Sequence, residues 1–185
     1  MSKQGAPVPI VEAYHDYAPP FTVRVTVKRL LSGVPREHLV GLARVVLTNA
    51  GGLARRRRRA KTWSRKRKVE IASCRGLYHE AWKGEGAWIE LFVDRMLADK
   101  AGCALTLPFF RDSVVGETLF HELGHHIHKT QAPEHTERED VADKWARRLQ
   151  RRRLRRRYWY LIPLAVVLRL LIRLIPRRIR DRYDL

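Results

Sequence analysis

HELGH, residues 121–125, decides how the rest of this chain is read. An α-helix repeats every 3.6 residues, so His121 and His125 project from one face, a single turn apart. Two imidazoles at that spacing bind one tetrahedral Zn²⁺, and Glu122 stands beside them where a general base takes a proton from metal-bound water. The bland alternative is a partly exposed, charged helix that happens to carry two histidines. The flanking residues weigh against it. Val114, Val115, Leu119, Phe120, Leu123 and Ile127 give a helix apolar surface to bury, Asp112 and Ser113 are N-cap candidates after Pro108, and Pro133 follows its end. The pattern predicts a helix of about five turns.

A structural zinc site closes with four protein ligands, whereas a hydrolytic one keeps a position open for water. The metzincin spacing needs a histidine six residues after the second motif histidine; that position is Gln131, which excludes the family. The remaining candidates for a third ligand are His135, Glu137, Glu139, Asp140 and Asp143. The stretch from Thr136 reads as a second helix with Val141, Ala142, Trp145 and Leu149 on its apolar face. Glu139 and Asp143 lie four apart on it and point the same way. Glu139 can then bind the metal while Asp143 accepts a hydrogen bond from the far nitrogen of a ligand histidine. Glu139 is therefore the favoured third ligand, with His135 and Glu137 as alternatives.

Residues 139–146 read EDVADKWA. Together with HELGH this resembles the ImmA/IrrE-type branch of the HExxH metallopeptidases, whose glutamate helix carries an E-x-x-A-N-x-F-A pattern. Asp143 stands where that branch has Asn, and Trp145 where it has Phe. The resemblance covers residues 112–150. It implies a zincin-like fold, zinc-dependent peptide hydrolysis, ligands at His121, His125 and Glu139, and the base at Glu122. SprT-like proteases are a second possibility; their third ligand is a downstream histidine, which would favour His135.

The other histidines carry less. His128 falls on roughly the same helical face as the ligand pair and reads as a polar residue near a helix end, where positive charge suits the dipole. His126 points elsewhere, and His15 and His79 are isolated. Tyr78-His79, at the end of an expected strand, is a weak candidate for an oxyanion-stabilising pair.

With 185 residues and 45% hydrophobic content, the chain is long enough for one domain with a real core and an appendage. Its charge is unusual: 38 Lys and Arg against 19 Asp and Glu give a net charge of +19. That excess predicts a polyanionic partner, nucleic acid or an anionic membrane surface. Cys74 and Cys103 lack CxxC spacing, which argues against a disulfide framework or a cysteine zinc site and fits a reducing cytosol. No apolar secretory core opens the chain.

Residues 1–20 read as an extended lead-in. Phe21, Val23, Val25 and Val27 alternate with polar residues, which predicts a half-buried strand, and a helix is expected from about Pro35 to Asn49. The basic stretch from Arg55 to Lys68 is expected to be a solvated loop or hairpin, or a polyanion contact with Trp63 as a stacking residue. Val69–Leu77 and Trp88–Val93 read as strands, the latter a candidate edge strand for an extended substrate. Residues 151–185 follow as an Arg-rich linker and an apolar segment, YWYLIPLAVVL at 158–168, shorter than a span needs and interrupted by Arg169 and Arg173. A basic stripe, aromatic residues at its head and a leucine-rich face favour an amphipathic helix lying on an anionic membrane surface; docking of the apolar face onto a partner or onto the domain itself, and a true span, are the alternatives.

These readings combine into an α+β, zincin-like domain over residues 21–150: a small twisted sheet, an HExxH helix and a glutamate helix, with a C-terminal amphipathic helix. The expected activity is zinc-dependent cleavage of a protein or peptide substrate, cytoplasmic and peripheral on the inner face of the membrane. The alternative is a basic adaptor for membrane or nucleic acid with a structural, non-catalytic zinc site.

Overall fold

The computed structural model describes residues 7–64, 67–98, 100, 102–131, 139–161 and 163 of the chain. It is an α+β structure built on a four-stranded sheet of order β1-β2-β6-β5. Here β1 is Ile10–Glu12, β2 Leu42–Thr48, β5 Gly76–His79 and β6 Ala87–Phe92. β1 and β2 are parallel, with Ile10 opposite Val45, and β2 and β6 are parallel, with Val45 opposite Ile89. β5 closes the sheet antiparallel to β6, with Tyr78 opposite Ile89. A separate two-stranded hairpin joins β3, Lys61–Ser64, to β4, Arg67–Glu70.

The region expected as a strand over 21–28 is helix α1, Val23–Ser32. Val23, Thr26, Val27, Leu30 and Leu31 are buried, a helical spacing, while Val25 is 56% exposed. Alternation over three valines mimicked a strand; Leu30 and Leu31, just beyond it, settle the period. The helix expected over 35–49 is also corrected. A 3₁₀ turn at Arg36–Leu39 leads into β2, LARVVLT, whose two parallel neighbours put it inside the sheet. Val45 and Leu47 are fully buried while Arg44 and Val46 are half-buried, but adjacent apolar residues on both faces blur the alternation, so periodicity alone does not separate the two states. The strand expected over 69–77 is divided by a 3₁₀ turn at Ile71–Ser73, and only its second part belongs to the main sheet. β6 falls where a strand was expected at 88–93, but it is interior; the edge next to the site is β5.

Inside the basic stretch, Arg55–Arg59 forms the short helix α2. Arg57 donates at 2.5 Å to Glu90, a carboxylate 2% exposed on β6, which His79 also contacts at 3.1 Å. One arginine of the run thus neutralises a charge buried in the sheet. After β6 come α3, Val93–Leu97, and α4, Pro108–Gln131. α4 begins at Pro108, ahead of the cap expected at Asp112 and Ser113, because proline is favoured in the first helical turn. Asp112 lies inside the helix, fully buried, and accepts a hydrogen bond from Arg29 of α1. Val115, Leu119 and Leu123 of α4 share one core with Val27 and Leu30 of α1 and with Val45, Ile89 and Leu91 of the sheet.

α5, Glu139–Arg157, follows; residues 132–138, which include the alternative ligands His135 and Glu137, lie outside the described residues. The chain divides into two compact units between Gln150 and Arg151. In the second unit, Arg153 and Arg157 lie over the Tyr158 ring, with a 3₁₀ turn at Trp159–Leu161. Residues 162 and 164–185, where the amphipathic helix was expected, lie outside the described residues. No helix among the described residues is long and apolar enough to cross a membrane.

Breaking a buried ion pair from one side costs more than replacing both partners with apolar groups. Arg29→Met should therefore lower unfolding stability by about 3 kcal/mol, and Arg29→Met with Asp112→Leu should recover most of that loss in urea titrations.

Candidate metal centre

Three side chains from two helices meet at the floor of a cleft. His121 and His125 come from α4, and Glu139 from the first turn of α5. Nε2 of His121 lies 3.2 Å from Nε2 of His125 and 3.1 Å from Oε2 of Glu139; His125 Nε2 and the same oxygen are 3.9 Å apart. Asp143 accepts from Nδ1 of His121 at 2.9 Å. A carboxylate is acceptor-only, so Nδ1 of His121 carries the proton and Nε2 is left with its lone pair. That lone pair faces a carboxylate oxygen and a second ring nitrogen. With Nε2 of His125 likewise unprotonated the three atoms form an all-acceptor set, which a bound cation would satisfy. Ligands about 2.0–2.1 Å from a tetrahedral ion lie roughly 3.3 Å from one another, close to the separations here. His121, His125 and Glu139 can therefore hold a metal ion.

What brings the two helices this close is Gly124, the glycine of HELGH. A Cβ built there would lie 2.7 Å from the carbonyl oxygen and 2.8 Å from the Cα of Ala142. These are backbone atoms with no freedom to move aside, so the contact requires glycine. Ala142 is fully buried against it, with Glu139 one turn before and Asp143 immediately after. The signal in the sequence was a glycine between two histidines inside a strong helical pattern, facing a small residue on the next helix.

Glu122 points to the sheet side of the same cleft. It is 7% exposed, and burial pushes its carboxyl above the usual carboxylate range. His125 and His121 pull the other way, Glu139 adds to the rise, and the Tyr78 backbone N–H donates to the carboxylate. Gly76 makes room for this arrangement: a Cβ there would meet Thr118 Cγ2 at 2.7 Å and Glu122 Cγ at 2.9 Å. The edge strand is thus seated directly against Glu122. Cys74, just before it, has its thiol pushed up to about 11, first by burial and then by the Glu122 charge.

Tyr78 and His79, weighed as a pair, are separated by the alternation of the strand. His79 stacks on Trp88 at 3.8 Å and contacts Glu90. The Tyr78 hydroxyl lies 3.3 Å from Nδ1 of His126, whose Nε2 is 3.0 Å from the Val40 carbonyl. The carbonyl only accepts, so Nε2 holds the proton and Nδ1 accepts from the phenol. Burial lowers the His126 pKa, which suits this neutral state. The phenol proton is thereby committed away from the cleft. His128 is buried and outside the ligand group.

The cleft has a volume of about 930 Å³ and opens over His121, Glu122, His125 and Glu139. β5 supplies one wall through Gly76, Leu77 and Tyr78, the β3–β4 hairpin contributes Thr62, Trp63 and Val69, and α5 contributes Ala146, Arg147 and Gln150. Compared with known proteins, the chain matches no family model, no curated protein and no solved structure.

Gly124→Val should separate α4 from α5. The expected result is at least a tenfold loss of divalent-metal affinity in calorimetric titration, with the β-sheet signal in circular dichroism retained.

Proposed function

We propose that this protein is a zinc-dependent metallopeptidase with a zincin-like fold, of the ImmA/IrrE-related kind. The observation that carries the reading is the convergence of Nε2 of His121, Nε2 of His125 and Oε2 of Glu139 beside a buried Glu122 that is not one of the three ligands. A purely structural site gains nothing from a carboxylate held there with a raised pKa. Zinc held by the three ligands supplies Lewis acidity, polarising a peptide carbonyl and lowering the pKa of a water toward about 7.

The chain's own residues supply the rest. Glu122 takes the proton of the attacking water and returns it to the leaving amine. Burial favours its neutral form and so makes it a stronger base than an exposed carboxylate. Asp143 fixes the His121 tautomer. β5, with no further strand beside it among the described residues, offers backbone N–H and C=O groups to an extended peptide passing over Glu122.

The reading includes an address. In the second unit Arg151, Arg152, Arg155 and Arg156 are exposed, as are Trp159 (65%) and Tyr160 (56%). Arginines beside amphipathic aromatic rings suit the headgroup region of an anionic bilayer, so the protease is held at the cytoplasmic membrane surface and acts on a protein there.

Glu122→Gln should retain stoichiometric zinc and lose peptide hydrolysis by about 10²–10⁴-fold, whereas Asp143→Ala should weaken zinc binding about 10- to 100-fold. Undiminished cleavage by Glu122→Gln would remove that residue from the mechanism. Deleting residues 158–185 should release the protein from phosphatidylserine vesicles in a flotation assay; retained binding would shift the attraction to the arginine runs.

A further inference from the structure

The charges around the cleft are unevenly committed. Every carboxylate lining it has a partner: Asp143 holds His121, Glu139 belongs to the ligand group, and Glu122 accepts from the Tyr78 backbone. Glu117 pairs with Arg75 at 3.7 Å, and Glu80 with Lys129 at 3.1 Å. Arg147 in the cleft lining and Lys68, beside the lining residue Trp63, are cations without carboxylate partners among the described residues. Arg147 projects from α5 into the cleft lining. Lys68 lies across the hairpin from Trp63, its ammonium 5.4 Å from the centre of that ring, and Trp63 is 66% exposed while lining the cleft.

We propose that this groove selects polypeptides with acidic side chains flanking the scissile bond, recognised by Arg147 on one wall and by Lys68 with Trp63 on the other. The proposal rests on the metallopeptidase reading and names the substrate class it serves. An extended peptide pairing with β5 turns every second side chain the same way, about 6.7 Å apart, so it can set carboxylates only where cations wait. A single nucleic-acid strand carries a negative charge at every nucleotide and would also meet Glu117 and Glu80 in the cleft lining. Nor can a phosphodiester chain satisfy the backbone N–H and C=O groups of β5. Trp63 supplies apolar contact, and the adjacent ammonium adds a charge that a carboxylate reaches without losing the ring.

The test uses the full chain carrying Glu122→Gln, loaded with zinc. Its probes are three fluorescein-labelled octapeptides identical except for Glu, Gln or Lys at alternate positions. The Glu peptide should bind about tenfold more tightly than the Gln peptide in 50 mM salt, with the Lys peptide weakest. Arg147→Gln and Lys68→Gln should each cut the Glu-to-Gln ratio about threefold while leaving affinity for the Gln peptide and the thermal midpoint unchanged. Equal affinity for the Glu and Gln peptides, or a ratio that survives both substitutions, overturns the proposal. So does an eight-nucleotide oligo-dT that binds more tightly than the Glu peptide. Cleavage by the unsubstituted protein separates this from the underlying reading. Acid-selective binding without any hydrolysis would sustain the groove and refute the peptidase, and hydrolysis at equal rates on all three peptides would do the reverse.

Discussion

The site depends on the contact between Gly124 and Ala142. Two helices can share a tetrahedral ion only if their axes approach closely enough for short side chains to meet, and here the approach is limited by backbone touching backbone. Leu123 and Ile127 hold α4 in the core, and Leu149 holds α5 there, so the approach is driven by apolar burial and limited by the glycine. Once it is made, Glu139 and Asp143 have little choice of position. One sits over the two histidines and the other behind the first of them. A single methyl group at residue 124 would be felt by both.

The sheet meets the site through a second glycine. Gly76 lets β5 lie against the side chain of Glu122, so that carboxyl is covered by the same strand that borders the cleft. The burial that raises the carboxyl pKa and the exposed sheet edge therefore arise from one packing arrangement. The Tyr78 hydroxyl belongs to it as well: its contact with His126 ties the edge strand to α4.

The convergence of His121, His125 and Glu139, with Asp143 behind, was legible because it is carried by short spacings on two helices, where 3.6-residue periodicity converts sequence into direction. Elements positioned by long-range pairing were not legible. Val23, Val25 and Val27 alternate as a strand would, and only the burial of Leu30 and Leu31 against α4 shows why a helix wins. LARVVLT shows no clear period because apolar residues stand on both of its faces, the buried Val45 and Leu47 beside the half-buried Val46. Trp88–Val93 was recognisable as a strand but not as an interior one, since its neighbours at 42–48 and 76–79 are set by the sheet order. Gly124 and Gly76 are visible as letters, yet their roles exist only where a second segment comes within 3 Å.

The sheet order also dictates how the chain reaches this state. β5 and β6 are joined by a short connection and can pair early, as can β3 and β4. The parallel pairings are remote, Leu42 with Ala87 and Ile10 with Val45, and each must close a long loop before it gains any hydrogen bonds. The wall that bears Gly76 and Tyr78 thus forms from local contacts, while both parallel pairings wait on loop closure. During synthesis β2 emerges before its partner β6 exists, so the edge that β6 will cover stays open until that strand follows. The arginines of α2 follow, and Arg57 meets its partner only once β6 has brought Glu90 into the sheet.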